Sequence, residues 1–582
     1  MSAFVPAPAP MSAFKQAVLN SENPDDGMLR TRGENRHPAL TAAGLGDSLL
    51  ALFDKFFQGI SERDLRESIR RVIEESRAKS DIEIIVNLFV MAFHTRWCRG
   101  GKGAKLPFYQ CLKILYEVFP VPVEHLISLI PQYGYWKDLL LLLEEVKKNP
   151  VCGVNYERLE DVIWNVYAKQ LSEDYVALQT HKAAGTTPSL SFAGKYAPRE
   201  HKHLDGSLKG VKNLAKRMFK DDSIIVLPGS IHPNETDDGV LIDNQGEEML
   251  EGCGSKSRSH TSSLKRKYRE VVSSLATALD IPEVKMCAHQ YSEIKISAIP
   301  SKCLSKNEKA FANEKLHEAP HGPVEVEKGN RYPDNPDRVG CRKNLINALS
   351  TGNVKGAQNY PHEYVEKVFK SRKMSFVSKL TVNAQWVSMR GSIERMVTQR
   401  RESKGSALSE VSLGNLVPIS DVSGSMNGTP MAVAIGLGIL CSELANPAFK
   451  DLVMTFSADA TWEHLGDCNS FVDKVKKLKA AHWGYNTDFI KAMQRVADVV
   501  RDHHLAQNDI PNLLVISDMQ FDEACGSDET GLAWNTAYEN IEKMFHDLGM
   551  DINGTPFIPP SIIFWNVRGS VGFPAAADDK GV

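Results

Sequence analysis

The stretch 421–426, Asp-Val-Ser-Gly-Ser-Met, holds the residue types in this chain that are best suited to chemistry. Asp421, Ser423 and Ser425 alternate along it and offer one carboxylate and two hydroxyls, which are hard oxygen donors suited to a small divalent cation. An apolar run typical of a buried strand precedes the stretch, and a helix-like run follows it. Side chains between a strand and a helix converge on ligands in α/β sheets, so the sequence predicts a site for Mg²⁺ or Mn²⁺.

Two later residues extend this set of donors. Thr487 lies in the stretch 484–488 between two helix-like runs. Asp518 ends the run 513–518, whose continuous apolar character is typical of a central parallel strand. The stretch 421–426 resembles the metal-ion-dependent adhesion site of von Willebrand factor A domains, and this resemblance implies a Thr and an Asp from later segments. Thr487 and Asp518 follow in that order, so the resemblance implies a metal site built from three separate parts of the chain.

A competing interpretation is that Asp-x-Ser-x-Ser only caps a helix. Ser and Asp are favoured N-cap residues, and Thr429 followed by Pro430 already resembles a helix start. The ordered succession of three donor segments, two of them after predicted strands, favours the metal site. Pro418 departs from the pattern because proline removes a ladder donor, and we interpret it as the start of the strand or a bulge.

Composition limits the class of protein. A chain of 582 residues predicts two or more domains, and 42% apolar with 24% charged residues is ordinary for a soluble globular protein. A net charge of −3 argues against a uniformly basic nucleic-acid binder. The ten cysteines show no Cys-x-x-Cys spacing, which favours a reducing intracellular compartment. We find no secretory signal or membrane span and predict a cytoplasmic protein, with the nucleus as a second location.

The chain is predicted to have three parts. Residues 1–45 lack hydrophobic periodicity and are expected to form a disordered tail. Residues 46–409 are expected to form a helical-repeat region, interrupted by a flexible insertion at about 227–263 with a basic edge. Because the predicted helices are joined by short connections, we expect neighbours to pack antiparallel, as in a repeat array. They cover residues 62–76, 81–97, 107–119, 123–130, 136–148, 156–177, 268–279, 305–316, 342–349, 362–369 and 382–399.

Residues 410–582 alternate between strand-like and helix-like runs. This alternation predicts a parallel sheet with helices on both of its faces. The predicted strands cover residues 416–420, 452–456, 461–465, 513–518 and 561–567, with a helix at about 536–548. The resemblance to von Willebrand factor A domains implies a further strand and helix after Val567, so we expect the domain to be incomplete at its C-terminus.

Cationic loops between the predicted helices are candidates for RNA contacts. The stretch 96–105 carries Arg96, Arg99, Lys102 and Lys105 among glycines, but it lacks the pattern of a nucleotide phosphate loop. Such a loop can contact RNA phosphates through its cations and backbone. The alternative is a solvated turn, which composition alone favours.

Two further stretches combine aromatic and basic residues. Lys137 lies in 134–138, Gly-Tyr-Trp-Lys-Asp, while Lys195 and Arg199 lie in 195–200, Lys-Tyr-Ala-Pro-Arg-Glu. Aromatic rings beside cations are typical of proteins that bind single-stranded RNA. Buried aromatics beside helix caps would look the same in a sequence.

These motifs carry a family resemblance. The stretch 421–426 resembles the metal-ion-dependent adhesion site of von Willebrand factor A domains. A helical region followed by such a domain resembles the Ro autoantigen (TROVE) proteins, which bind misfolded and small noncoding RNAs. The motifs at 99–103, 134–138, 195–200, 421–426 and 483–489 are more similar to a family of plant, protist and giant-virus proteins with the same layout.

The resemblance implies a fold and a function. The fold would be an all-α, HEAT-like helical-repeat array followed by an α/β, Rossmann-like von Willebrand factor A domain. Ser423, Ser425 and Thr487 would bind the metal directly, and Asp421 and Asp518 through water or indirectly. A remaining coordination position would take a carboxylate from an acidic protein partner.

Two functions follow as hypotheses. The first is an intracellular, non-catalytic RNA-binding protein whose helical array binds single-stranded or misfolded noncoding RNA. The alternative is a protein–protein interaction scaffold that binds an acidic partner at the metal site, which the near-neutral net charge favours. An enzyme is third, because the sequence has no recognisable pair of a nucleophile and a base. The oligomeric state stays open.

Overall fold

The computed structural model divides the chain into two compact units. One unit consists of residues 47–288, and the other consists of residues 1–46 together with 289–582. The structure describes residues 29–32, 38–41, 48–56, 60–151, 154–219, 253–315, 329–371, 373–402, 413–456, 460–480, 489–519 and 537–567. Among these residues, none of the helices is both long and apolar enough to cross a membrane.

The unit of residues 47–288, here the helical unit, is built from helices that share one hydrophobic core. Local sequence signals set their ends. In the helix Glu62–Lys79, the Ser61 hydroxyl accepts a hydrogen bond from the Asp64 N–H at 3.1 Å, which caps the N-terminus. The left-handed conformation of Ser80 ends the helix, and Leu65 and Ile69 face the core.

The helices of this unit follow one another along the chain. They are α1 Ser48–Lys55, α2 Glu62–Lys79, α3 Glu83–Arg96, α4 Leu106–Val118, α5 Pro120–Leu126, α6 Ile130–Tyr133, α7 Trp136–Lys148, α8 Glu157–Ala183, α9 Ala193–Tyr196, α10 His203–Leu208, α11 Gly210–Met218, α12 Cys253–Ala278 and α13 Pro282–Cys287. The prediction for α7 is confirmed to the residue. Helix α12 begins at Cys253, so residues 253–263, which were expected in a flexible insertion, are helical.

The second unit, here the α/β unit, begins with a short hairpin and four helices. Strands β1 Leu29–Arg32 and β2 Pro38–Thr41 pair antiparallel, so these two stretches of the expected disordered tail form a sheet. The rest of 1–45 lies outside the described residues. The helices are α14 Ser301–Ala312, α15 Pro336–Ser350, α16 Pro361–Lys370 and α17 Phe376–Glu402.

A five-stranded mixed sheet forms the centre of this unit. Its elements are β3 Leu416–Asp421, α18 Thr429–Leu444, β4 Leu452–Phe456, β5 Ala460–His464, α19 Phe471–Ala480, α20 Phe489–Asp502, β6 Asn512–Ser517, α21 Ala537–Asn553 and β7 Ile562–Asn566. The strand order is β5-β4-β3-β6-β7. All pairs are parallel except β4 with β5, because the three residues between those strands are too few for a parallel crossover.

Helices cover both faces of this sheet, as the alternating pattern predicts. Leu514 and Ile516 of β6 pack into one core with α16–α19, while Leu513 and Val515 pack into the other with α20 and α21. Alternate residues of a strand point to opposite faces, so one continuous apolar run serves both cores. Pro418 is in register with Leu514, and the ladder to β4 starts only at Ile419, which agrees with a proline near the start of the strand.

The α/β unit extends well before residue 410, where the sequence placed the start of its domain. Tyr364 and Val365 of α16, and Trp386 of α17, belong to the same core as Leu514 of the sheet. The Trp386 and Phe471 rings stack with their centroids 3.8 Å apart. These helices therefore pack as part of the α/β unit.

Candidate functional sites

The predicted metal residues that the structure describes meet at the carboxyl edge of the sheet. Asp421 ends β3, Ser423 and Ser425 lie in the turn that follows, and Asp518 directly follows β6. Strands β3 and β6 are parallel neighbours, so their carboxyl ends lie side by side. Thr487 lies outside the described residues.

Hydrogen bonds join these side chains into one cluster. The Ser423 and Ser425 hydroxyls are 3.0 Å apart, and the Ser425 hydroxyl donates to Asp518 Oδ1 at 3.3 Å. The Ser423 N–H donates to Asp421 Oδ1 at 2.9 Å. Asp421, Ser423 and Asp518 are fully buried. The predicted convergence of donors from the β3 turn and from the end of β6 is thus present.

Ser517 is a member of this cluster that the sequence reasoning missed. Its hydroxyl donates to Asp421 Oδ2 at 2.6 Å and accepts the Met519 N–H at 3.0 Å. With the Ser423 N–H on the other oxygen, this contact fixes the Asp421 carboxylate from both sides. The signal was present in the sequence, because Ser517 immediately precedes Asp518 at the end of the predicted strand.

Burial raises the pKa of Asp421 to about 6 from its ordinary value of 3.8. Hydrogen bonds from Ser423 and Ser517 act in the opposite direction, and the charge of Asp518 raises the pKa further. Two carboxylates in a buried site disfavour each other's ionisation. A divalent cation would offset that repulsion.

Close packing of α18 against β3 holds the turn in place. A Cβ on Gly438 would lie 2.3 Å from the Ser420 Oγ, so only glycine allows this approach. The Ser420 hydroxyl donates to the Ala434 carbonyl at 3.1 Å. Gly428, with φ of 94°, turns the chain into the helix.

The donor set fits a small hard cation better than a soft one. Within the described residues, no group of three or more His, Cys, Asp or Glu side chains could hold a metal ion. Any cation here would therefore depend on the hydroxyls of Ser423 and Ser425 beside the Asp421 and Asp518 carboxylates. Neutral and anionic oxygens of this kind suit Mg²⁺ or Mn²⁺.

In the helical unit, Arg96 points inward rather than toward a ligand. Its side chain is 1% exposed, and its NH2 group lies 2.6 Å from Asp138 Oδ2 in a buried ion pair. Burial is the largest single influence and lowers the pKa of Arg96, but the charge and hydrogen bond of Asp138, together with Tyr109 and Cys98, raise it, and the net pKa is raised. Arg96 is not available to RNA phosphates, which corrects its prediction as an RNA-binding residue.

Asp138 joins several segments around this ion pair. Its carboxylate also accepts from the Tyr109 hydroxyl at 2.6 Å and from the Tyr135 N–H at 2.7 Å. A Cβ on Gly134 would lie 2.1 Å from Asp138 Oδ2, so glycine is required at that position. The motif at 134–138 therefore contributes to the interior of the unit.

The other predicted RNA-binding cations differ in exposure. The Lys102 ammonium donates to the Phe53 carbonyl and, at 3.2 Å, to the Phe56 carbonyl, so it caps the end of α1. Lys195 is half-buried beside the Tyr196 ring. The exposed cations are Arg99, Lys105, Lys137 and Arg199.

The three motif segments of the helical unit lie together. The Cys98 N–H donates to the Tyr133 carbonyl at 3.0 Å, which ties the stretch 96–105 to the start of 134–138. The Tyr135 and Tyr196 rings are 6.1 Å apart, which ties 134–138 to 195–200. We call these three stretches the motif cluster.

Comparison with known proteins gives two family matches and one relative. Residues 415–582 match a family described as a domain of unknown function, DUF7788, and residues 144–331 match another, DUF2828. The chain is also similar to Uncharacterized protein L728 of Acanthamoeba polyphaga mimivirus, with 24% identity over 496 residues. That alignment covers 84% of this chain and 72% of the viral protein.

The two family matches cover the two candidate sites to different extents. The described metal residues lie within the DUF7788 match. Of the motif cluster, only the stretch 195–200 falls within the DUF2828 match. None of the three descriptions names a ligand or a reaction.

Proposed function

We propose that this chain is a non-catalytic binding protein whose C-terminal part is a von Willebrand factor A-like domain. In it, Ser423, Ser425 and Thr487 would hold Mg²⁺ or Mn²⁺, with Asp421 and Asp518 supporting them. The observation that carries the proposal is the convergence of Asp421, Ser423, Ser425 and Asp518 at one sheet edge. The sheet order, with one antiparallel edge strand and helices on both faces, supports it.

The ligand class of this site would be an acidic group of a protein partner. A hard divalent cation keeps open positions that an outside carboxylate oxygen fills. Ser425 is the only partly accessible member of the described cluster, and it lies in the turn that follows β3. A scaffold that binds an acidic partner would follow from this geometry.

Thermal unfolding of the full chain with increasing magnesium tests this proposal. Binding to the folded state alone stabilises a protein by roughly 2.7 kcal/mol at a hundred times the dissociation constant. We expect the melting temperature to rise with magnesium in the wild type and to stay constant in the double variant Ser423→Ala, Ser425→Ala.

Ser442→Ala is the matched control for this experiment. Ser442 is a fully buried serine of the same unit whose hydroxyl donates to the Ile439 carbonyl within α18. This variant should keep the magnesium response of the wild type. A wild type without any response, or a double variant that keeps it, would refute the metal site.

A second function, RNA binding by the helical unit, is favoured by the motif cluster. Three stretches distant in sequence meet there, and Arg99, Lys137 and Arg199 on them are exposed. We infer that a HEAT-like, TROVE-like helical region uses these cations to contact the phosphates of single-stranded or misfolded noncoding RNA.

The salt dependence of RNA affinity tests this function. Changing Arg99, Lys137 and Arg199 together to Ala should weaken binding. The slope of log affinity against log salt should fall by about 0.7 for each lost phosphate contact on a single strand. A control that changes Arg71, Lys148 and Lys169 to Ala removes the same charge from other exposed positions of the unit. Equal slopes of log affinity against log salt for the two triple variants would show that the motif cluster is not part of the RNA-binding site.

A further inference from the structure

A row of aromatic rings borders the loop 97–104 of the motif cluster. The ring centroids of Phe53 and His94 are 6.3 Å apart, those of His94 and Trp97 are also 6.3 Å apart, and those of Trp97 and Tyr133 are 6.4 Å apart. These separations lie within the range of interacting aromatic pairs. The rings therefore form one connected row.

Two large members of this row are turned partly to solvent. Trp97 is 37% exposed and Phe53 is 39% exposed, while His94 and Tyr133 are half-buried. A tryptophan with this much accessible area forgoes part of its hydrophobic burial. Exposed ring surface next to cations is the combination that single-stranded nucleic acids use for stacking.

The loop that carries Trp97 is fixed by its own backbone. The N–H groups of Gly101, Lys102 and Ala104 donate to the carbonyls of Trp97, His94 and Thr95 at 3.0, 3.2 and 2.9 Å. These bonds anchor the loop to the C-terminal end of α3. The accessible face of Trp97 therefore belongs to a rigid loop, so binding a ligand there costs little conformational entropy.

The glycines of this loop have steric reasons to be there. A Cβ on Gly100 would lie 2.7 Å from the Trp97 ring, and one on Gly101 would lie 1.9 Å from the His94 carbonyl oxygen. Any larger residue would displace the indole or open the loop. The glycine-rich sequence thus positions an aromatic ring, in addition to presenting cations.

Cations border the same row. The Lys102 ammonium lies 3.8 Å from the centroid of the Phe53 ring, and Arg99 is exposed in the loop itself. A cation close to a ring provides an attractive contact for an anion that arrives with a stacked base. The row thus offers ring faces for bases and positive charge for phosphates.

We propose that Phe53, His94 and Trp97 form a stacking platform for the unpaired bases of single-stranded RNA, with Arg99 contacting the adjoining phosphate. This inference rests on the RNA-binding function proposed above and specifies its ligand. A duplex is excluded from this mode of binding, because its bases are already stacked and paired. The platform therefore selects single-stranded over double-stranded RNA.

Affinity measurements on the full chain test the platform. The probes are a short single-stranded RNA of mixed sequence, labelled with a fluorophore, and the same strand annealed to its complement. Base stacking on an aromatic side chain contributes about 1–3 kcal/mol per base, so Trp97→Ala should weaken single-strand binding about tenfold or more. Its salt slope should equal that of the wild type, because no charge is lost. Trp97→Phe keeps a ring face and should retain most of the affinity.

Trp565→Ala is the matched control. Trp565 lies in β7 of the α/β unit and is 48% exposed, so this variant removes the same residue type at similar exposure. It should bind both probes as the wild type does. Phe53→Leu provides a second test if Trp97→Ala lowers the melting temperature, because it removes a ring and keeps an apolar side chain.

The outcomes separate the two proposals. If the wild type binds neither probe, RNA binding by the helical unit fails and the platform fails with it. If the wild type binds the single strand, but Trp97→Ala and Phe53→Leu bind it as tightly as Trp565→Ala does, the platform alone is overturned. Equal wild-type affinity for the single strand and the duplex would also overturn it. If this face binds a protein instead, Trp97→Ala would weaken binding of that protein and leave the affinity for RNA unchanged. That result would overturn the platform.

Discussion

Each of the two units buries an aspartate at the point where its sequence motifs meet, and the two aspartates have different surroundings. Asp138 in the helical unit is neutralised by Arg96, with Tyr109 and Tyr135 completing its hydrogen bonds. Within the described residues, Asp421 in the α/β unit accepts hydrogen bonds from neutral groups of Ser423 and Ser517, and it lies near a second carboxylate, Asp518.

This difference separates a structural site from a proposed ligand site. A buried carboxylate with its own guanidinium is satisfied within the protein, and it holds segments together. A buried carboxylate among hydroxyls, with a second negative charge near it, would be stabilised by a cation from outside. Burial of a charged motif therefore says little about function until the counter-charge is identified.

The largest expected effect concerns which helices belong to the α/β unit. A fragment that starts at residue 410 should not unfold cooperatively, because it lacks six buried apolar side chains of one core. These are Tyr364, Val365, Val368, Val382, Trp386 and Met389. Each fully buried side chain contributes about 1.5–3 kcal/mol, and domains are stable by only about 5–15 kcal/mol.

Thermal and urea unfolding of two purified fragments measures this effect. The control is the fragment 289–582, which keeps α16 and α17 and should unfold cooperatively. A fragment 410–582 with the same transition midpoint as 289–582 would show that these helices are dispensable.

Removing Asp138 from its buried ion pair with Arg96 should lower the free energy of unfolding by nearly as much. Asp138→Ala leaves the Arg96 guanidinium buried without a counter-charge, which typically costs 3–5 kcal/mol. Urea unfolding of the full chain, followed by a signal from the helical unit, measures the loss. The exposed neighbour Lys137→Ala should change stability by less than about 0.5 kcal/mol. A loss below about 1 kcal/mol for Asp138→Ala would contradict the role of the pair.

Two glycines test the tight contacts beside each aspartate. In Gly134→Ala the new methyl group would meet Asp138 Oδ2, and in Gly438→Ala it would meet the Ser420 hydroxyl. Both changes overpack an interior and should cost about 1–3 kcal/mol. Gly206→Ala, where nothing lies within 4 Å of the new carbon, is the control. Unchanged unfolding midpoints in both variants would show that these contacts relax without cost.

The smallest expected effect on stability should come from Asp421 in the α/β unit. In metal-free protein, Asp421→Asn removes a buried charge that lies near Asp518, so its stability should change by less than about 1 kcal/mol or should increase. The same variant should lose the magnesium-dependent rise in melting temperature. If Asp421→Asn in metal-free protein loses as much stability as Asp138→Ala does, the two buried aspartates do not differ in the way described above.

The sequence alone predicted several of the elements and named Asp421, Ser423, Ser425 and Asp518, which the structure brings together. Helix α7 and strand β4 were predicted to the residue, because apolar periodicity and flanking polar residues act locally. The resemblance of the motif implied that Asp421 and Asp518 belong to one site, and two apolar runs predicted a strand before each of them; the parallel pairing of β3 with β6 in the structure places those strands side by side. Ser517 could have been included on the same argument.

The tertiary structure alone decided the direction of charged side chains and the membership of helices. Arg96 resembled the other cations of its loop, and only the partner 42 residues away, Asp138, turns it inward. Lys102 likewise caps α1 because the carbonyls of Phe53 and Phe56 end near it. Helices α16 and α17 have the same local pattern as the helices of the helical unit, yet they complete the core of the sheet. Burial and packing depend on contacts between segments distant in sequence, and the local periodicity of a segment does not predict those contacts.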